Sequence, residues 1–232
     1  MRWLAVDTAG ETGSVALALG ESDGQIKILG RIDLPGRTFS VRLIPAISEL
    51  LQQNHLALTD LDGFAVVRGP GSFTGLRVGL SAVKALAEAT GKPVIALSRL
   101  AVMASMKPQA SLVHGVLDAG RGEFYSGIYR DAGWECVRES LETATTLHAA
   151  LQSSSSAGGC IVAENSVADA LAEWGTVMRI HATAADVFPL VWRCWQQQCF
   201  ADIVTLDANY LRRSDAELFA RPQAPAASAS SL

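Results

Sequence analysis

The sequence predicts an α/β fold of two similar lobes, each a mixed sheet with helices. Three observations carry that prediction. Apolar runs and helical periodicity order the first hundred residues as three strands, helix, strand, helix, strand. A second strand, aspartate and glycine-rich turn begin at His114, which sets Asp118 opposite Asp7, 111 residues later and close to half the chain. A duplicated α/β unit is the economical explanation. Finally, 232 residues, 49% of them apolar and 18% charged, suffice for one large domain or two of about 100 residues.

Taken in order, residues 3–6 form an apolar strand. The turn-rich DTAGETG comes next, with Asp7 and Thr8 at its start, and residues 14–19 return as the second strand of a hairpin. A third strand spans residues 26–34. Leu43, Ile44, Ile47, Leu50 and Leu51 then recur at helical spacing, giving a helix over 40–54, with Pro45 close enough to its start to be accommodated with a local bend. Residues 63–67 are a buried strand. The loop that opens RGPGSFTGLRVG (68–79) leads into a helix over 74–90, ended by Gly91 with Pro93 beyond it. Residues 94–97 are one more strand. In the second half, HGVLDAGRGEFYSGIY repeats the hairpin, with Phe124, Ser126 and Ile128 on one face of its second strand. The tract QSSSSAGG (152–159) reads as a flexible loop before a strand over 160–163, and the Ala, Ser and Pro-rich tail 221–232 as disordered.

The 68–79 loop fails the tests for three catalytic motifs. It has no lysine before Lys84, so it is not a P-loop. Ser72 is not flanked by glycines two positions either side, as a nucleophile elbow requires. Counted from Gly69, Thr74 stands where a dinucleotide fingerprint needs glycine. What remains is a helix amino terminus with Ser72 or Thr74 as N-cap and Arg77 in the first turn. Within that helix Gly75, Gly79 and Val83 recur every four residues, leaving a face that invites close approach. Its partner is either the chain's own helix over 40–54 or a helix of another subunit.

The formal net charge of -4 argues against a surface that grips nucleic acid unaided, so an RNA role calls for a partner. Cys136, Cys160, Cys194 and Cys199 show no disulfide or zinc spacing and suit buried thiols in a reducing cytosol. The four histidines stand far apart, so no metal site is expected. Asp7, Asp118 and Glu123 are acid-base candidates at hairpin turns, where aspartates are also common for conformational reasons. The short apolar stretch at the amino terminus is no signal peptide and no run spans a membrane, which reads as a soluble, cytoplasmic protein.

The combination resembles one family, the TsaB (YeaZ-like) proteins, bacterial partners in making threonylcarbamoyl-adenosine beside the anticodon of tRNA. The matching residues are LAVDT (4–8) with SVAL (14–17), RLIP (42–45) onward to Leu51, RGPGSFTGLRVG (68–79), DAGRGEFY (118–125) and NYLR (209–212). They run over almost the whole chain except the tail. The resemblance implies an actin-like, Hsp70-like ATPase (ASKHA, ribonuclease H-like) fold. It implies a first lobe over 1–100, a second over 101–220 whose last part packs back on the first, and the tail 221–232. It also implies a relationship to the catalytic subunit TsaD, which holds a metal through an H-x-x-x-H pair absent here; Phe39 stands where many relatives carry a single histidine.

The same resemblance implies a non-catalytic subunit that binds TsaD as a heterodimer, works with TsaE, pairs with itself when TsaD is absent, and meets tRNA only through the complex. Carried onto this chain, the docking segments include Leu43, Ile47, Ser72, Phe73, Thr74, Gly75, Arg77, Gly79 and Val83, so the small-residue face is read as a docking face and Gly79→Leu as a change that spares the fold of the monomer. Asp7, Thr8 and Asp118 would be a vestigial nucleotide site, with no cofactor expected beyond ATP or ADP at the complex interface. A second reading is an active actin-like ATPase or kinase with Asp7 and Asp118 around metal-nucleotide phosphates, for which residues 156–159 offer a poor adenosine segment. A third is a glycoprotease-like peptidase, for which no nucleophile triad is recognisable.

Overall fold

A computed structural model of the chain describes residues 1–21, 24–156, 158–174 and 177–212; the tail expected to be disordered lies outside them. The first lobe runs β1 (Arg2–Asp7), β2 (Gly13–Gly20), β3 (Ile26–Leu34), α1 (Phe39–Gln53), β4 (Gly63–Val67), α2 (Phe73–Thr90) and β5 (Val94–Leu97). A short α3 (Arg99–Ser105) leads to the second lobe. That lobe runs β6 (Val113–Gly120), β7 (Glu123–Arg130), β8 (Glu135–Thr143), α4 (Ala144–Ser156), β9 (Cys160–Ala163), α5 (Asn165–Leu171) and β10 (Val177–Arg179). A 3-10 turn (Ala184–Val187) and α6 (Phe188–Gln196) complete the order.

The two sheets have the same topology. Their strand orders are β3-β2-β1-β4-β5 and β8-β7-β6-β9-β10. In each, the first three strands pair antiparallel in a meander, and the first, fourth and fifth pair in parallel across helical crossovers. The duplication read from Asp7 and Asp118 is therefore present strand for strand. Both aspartates sit at equivalent hairpins, Asp7 opposite Ser14 and Asp118 opposite Phe124.

Hydrophobic burial divides into three regions. Leu4, Val6, Phe64 and Val66 pack under Leu43, Leu50, Leu80 and Val83 of α1 and α2. Val116 and Ile161 pack under Leu147, Leu151 and Leu171 of α4 and α5. Between the lobes, Trp3, Ala5 and Ala65 of the first sheet share a core with α3, with Leu117 and Tyr129 of the second, and with Val187 and Phe188. Alternate residues along β1 thus face different cores, as a strand's two-residue period requires. Trp3 lies across Gly63, whose missing side chain makes room for the indole, and meets Trp195 of α6 edge to face at 5.6 Å.

Helix α1 continues unbroken through Pro45, which is exposed, as is Val41, the residue whose carbonyl loses its N–H partner. The serine tract differs from the sequence expectation. Residues 152–156 are helical, the last turn of α4. Leu147 and Leu151, one turn apart, are buried, while Ser153 and Ser156 satisfy their hydroxyls on carbonyls four residues back. Burial of the leucine face overrides the weak helix preference of serine.

Candidate functional site

The loop that opens 68–79 is pinned by main-chain hydrogen bonds. Arg68 N–H donates to Leu97 O, Ser72 N–H to Ala9 O, and Arg99 N–H to Gly69 O, at 2.9, 2.7 and 2.8 Å. Ser72 is the N-cap of α2, its hydroxyl accepting from Gly75 N–H at 3.3 Å. Such a cap contributes about 1 kcal/mol. At the other end, Gly91 adopts the left-handed conformation (φ 64°) that closes the helix.

The Gly75, Gly79 and Val83 face is occupied from within the chain. All three residues are buried. A β-carbon at Gly75 would stand 2.1 Å from the main-chain oxygen of Thr8, and one at Gly79 would stand 2.3 Å from the Thr8 hydroxyl. The glycines let α2 approach the end of β1, and of the two helices considered from the sequence the chain's own contributes to that face, with Phe39 at the start of α1 meeting Gly75 and with Leu43 and Leu50 sharing a core with Val83. Helical spacing reports a small-residue stripe, but it carries no information about what lies across it. Leu43 and Ile47 are likewise buried in the lobe's own core. Of the docking residues carried over, Ser72, Phe73, Thr74 and Arg77 reach the surface.

The face that solvent meets is the opposite side of the same two helices. Val41 is 68% exposed, Ile44 53% and Phe73 40%. Between α1 and α2, Ile44 and Phe73 border a groove of about 530 Å³, lined also by the apolar Phe39, Leu43, Val78 and Ala82 and by the polar Ser40, Thr74, Arg77 and Ser81. Arg77 lies 3.7 Å over the Phe73 ring. An apolar floor with a polar rim is the anatomy of a protein interface. Val41 and Ile44 were missed as surface residues because Ile44 falls within the helical spacing of the core positions.

A larger cleft, about 820 Å³, separates the lobes, walled by Phe39, Gly75 and Val78 on one side and Leu117, Asp118 and Tyr125 on the other. Of the three residues of the suspected nucleotide site, only Asp118 lines it. Asp7 is buried, with Oδ1 accepting from Ala9 N–H at 2.9 Å, and Thr8 is buried, donating to Gly75 O at 2.7 Å. Asp7 serves the turn it sits in, and Thr8 ties that turn to α2. Asp118 accepts from Gly120 N–H at 2.7 Å, and Glu123 pairs with Arg212. Phe39 packs its ring against Gly13 and Gly75, making this position apolar. At the base of the cleft Arg99, 5% exposed, pairs with Glu164 at 2.5 Å, while its Nε finds no hydrogen-bond partner among the described residues.

His114 is buried between two serines, Nδ1 2.9 Å from Ser154 Oγ and Nε2 2.7 Å from Ser126 Oγ. Its pKa is lowered to about 4, chiefly by burial and then by the charge of Arg138, with Glu142 opposing. It is a neutral core histidine. Among the described residues no group of three or more His, Cys, Asp or Glu side chains is placed to hold a metal ion. Nor is any helix among them long and apolar enough to cross a membrane.

Residues 33–174 match the family described as TsaD, tRNA N6-adenosine threonylcarbamoyltransferase. Among curated relatives, the tRNA threonylcarbamoyladenosine biosynthesis protein TsaB of Escherichia coli is 38% identical over 133 residues, 56% of this chain and 55% of that protein. TsaB of Bacillus subtilis is 34% identical over 131 residues, 56% of each. The matches span about half the length of these relatives. Over nearly the full length, the crystal structure of an uncharacterized protein with similarity to peptidase YEAZ from Pseudomonas aeruginosa superposes with a TM-score of 0.73 and 26% identity, covering 91% of this chain and 99% of that one. The match to the family runs from the end of β3 through α1 and α2 into the second lobe, and the duplicated sheets have the two-lobed actin-like form. The chain belongs to the TsaD family and, within it, is similar to the TsaB, YeaZ-like proteins.

Proposed function

We propose that this chain is a cytoplasmic, non-catalytic subunit in the synthesis of tRNA threonylcarbamoyladenosine that docks on TsaD through the exposed α1 and α2 face. The observation that carries this reading is the apolar groove bordered by Ile44 and Phe73, which lies within the segment matched to the TsaD family. Two proteins that share this helix pair can pack the same face of each against the other, as the protomers of an isologous dimer do. When TsaD is absent, a second copy of this chain offers the same surface. TsaE joins the assembly, tRNA is reached only through it, and ATP or ADP binds, if at all, at a subunit boundary. The non-catalytic part of the reading draws support from Asp7 and Thr8, whose polar groups are engaged by their own turn and by α2.

The test is reconstitution of tRNA modification from TsaD, TsaE and the adenylate-forming enzyme with and without this chain. Modification that depends on the chain, with no ATP turnover by the chain alone, is the expected result. Undiminished modification in its absence overturns the reading. A second reading, an active ATPase, draws on the size of the cleft between the lobes, and sustained ATP hydrolysis by the isolated chain would favour it.

A further inference from the structure

After α6 the chain crosses back over the first lobe. Ala201 pairs with Val94 at the free edge of β5. The Lys84 ammonium on α2 donates to Leu206 O at 3.0 Å, and Asn209 N–H donates to Arg68 O at 2.7 Å. From there this strap sends side chains in two directions. Toward the second lobe, Asn209 Nδ2 donates to Glu139 Oε2 at 2.6 Å. Arg212 donates to Gly120 O at 2.9 Å and pairs with Glu123. Glu139 also accepts from Ser98 and Tyr129. Burial and the Glu139 carboxylate hold the Tyr129 hydroxyl far above its ordinary pKa, so it remains a donor.

Toward the first lobe, the Tyr210 ring lies 5.1 Å from that of Phe73, and its hydroxyl accepts from Arg77 Nε at 3.2 Å. With Arg77 stacked on Phe73, the three side chains close a triangle. Phe73 and Arg77 border the α1 and α2 groove, and Tyr210 joins them to the strap. An arginine on an open helix face samples many rotamers. Held by a ring beneath it and an acceptor at its Nε, it presents one, which lowers the ordering cost of any contact it then makes.

We infer that Tyr210 is a positioning residue of the docking face, and that the strap carrying it links that face to the second lobe. This rests on the reading of the α1 and α2 groove as the surface that meets TsaD. Tyr210 fixes how Phe73 and Arg77 are presented, and Asn209 and Arg212 fasten the same short segment across the lobes. Linkage is reciprocal: a partner that binds the ordered triangle also tightens the strap.

The experiment titrates the full chain into TsaD by calorimetry, comparing wild type with Ile44→Asp, Tyr210→Phe and Tyr210→Ala, and follows hydrogen exchange at residues 206–212 with and without TsaD. Tyr210→Ala is expected to weaken binding roughly tenfold, and Tyr210→Phe, which keeps the ring on Phe73 and loses only the acceptor, roughly threefold. Exchange in the strap is expected to slow on binding, and Tyr210→Phe guards against a general loss of fold in the alanine variant. If wild type binds, Ile44→Asp does not, and both Tyr210 variants bind unchanged with no slowing in the strap, this inference falls and the docking reading stands. If wild type itself does not bind TsaD, the docking reading falls and takes this inference with it.

Discussion

The Thr8 hydroxyl donates to the main-chain carbonyl of Gly75 at 2.7 Å, and the same hydroxyl lies 2.3 Å from where a β-carbon at Gly79 would stand. One threonine therefore fixes the distance between the first hairpin and α2. Gly79→Leu is expected to destabilise the isolated chain by about 3 kcal/mol or more, since even modest overpacking of a tight core costs 1–3 kcal/mol. Urea denaturation of the purified monomer checks it; an unchanged midpoint would show that the hairpin yields to the helix.

Ile44 is the converse case, an apolar residue that the fold leaves half exposed. Ile44→Asp should shift monomer stability by no more than about 0.5 kcal/mol. It should lower affinity for TsaD, and for a second copy of the chain, by at least about tenfold. Titration calorimetry and sedimentation equilibrium read the two effects separately.

His114 gives stability a dependence on pH. Its pKa falls from 6.5 to about 4 on folding, so between these values the unfolded chain holds a proton that the folded chain does not. This contribution is fully present above pH 6.5 and is lost as pH falls toward 4. A shift of this size corresponds to about 3 kcal/mol. Carboxylates titrate in the same range, so the informative quantity is the difference between wild type and His114→Gln in urea midpoints across pH 4 to 7. A wild-type profile that runs parallel to that of the variant would contradict the assignment.

Arg99 and Glu164 form a pair with side chains 6% and 19% exposed. Glu164→Ala leaves a buried guanidinium without its carboxylate and is expected to cost about 3–5 kcal/mol, whereas replacing both with apolar residues of similar size should recover most of the loss. Thermal or urea unfolding of the single and double variants tests this. Equal destabilisation by both would point to packing in place of charge.

Much of the first lobe was legible because its elements obey simple periods: two for the strands of the hairpin, 3.6 for α1 and α2, with Gly91 and Pro93 marking an end. The second lobe was harder, for identifiable reasons. Every residue of α3 is buried, Arg99 included, so it has no polar face from which a period could be read. The edge strand β8 is mostly polar and partly exposed, which mimics a loop. The last four residues of α4 are all serine. At the site, helical spacing marked the stripe of Gly75, Gly79 and Val83 on α2, which the fold buries. A stripe of glycines indicates that something lies close, and only the fold shows that it is Thr8.

The chain enters the second lobe through α3 and leaves it beside the turn at residues 184–187. Both crossings are anchored on the first lobe, Arg99 N–H to Gly69 O and Ala184 N–H to the Ser14 hydroxyl, each at 2.8 Å. In mechanical terms the second lobe is a leaf glued to the first by the core they share, pinned at these two crossings and latched by the strap at Gly120 and Glu123. Widening the cleft between Phe39 and Asp118 by moving the lobes apart therefore loads that core and the latch together.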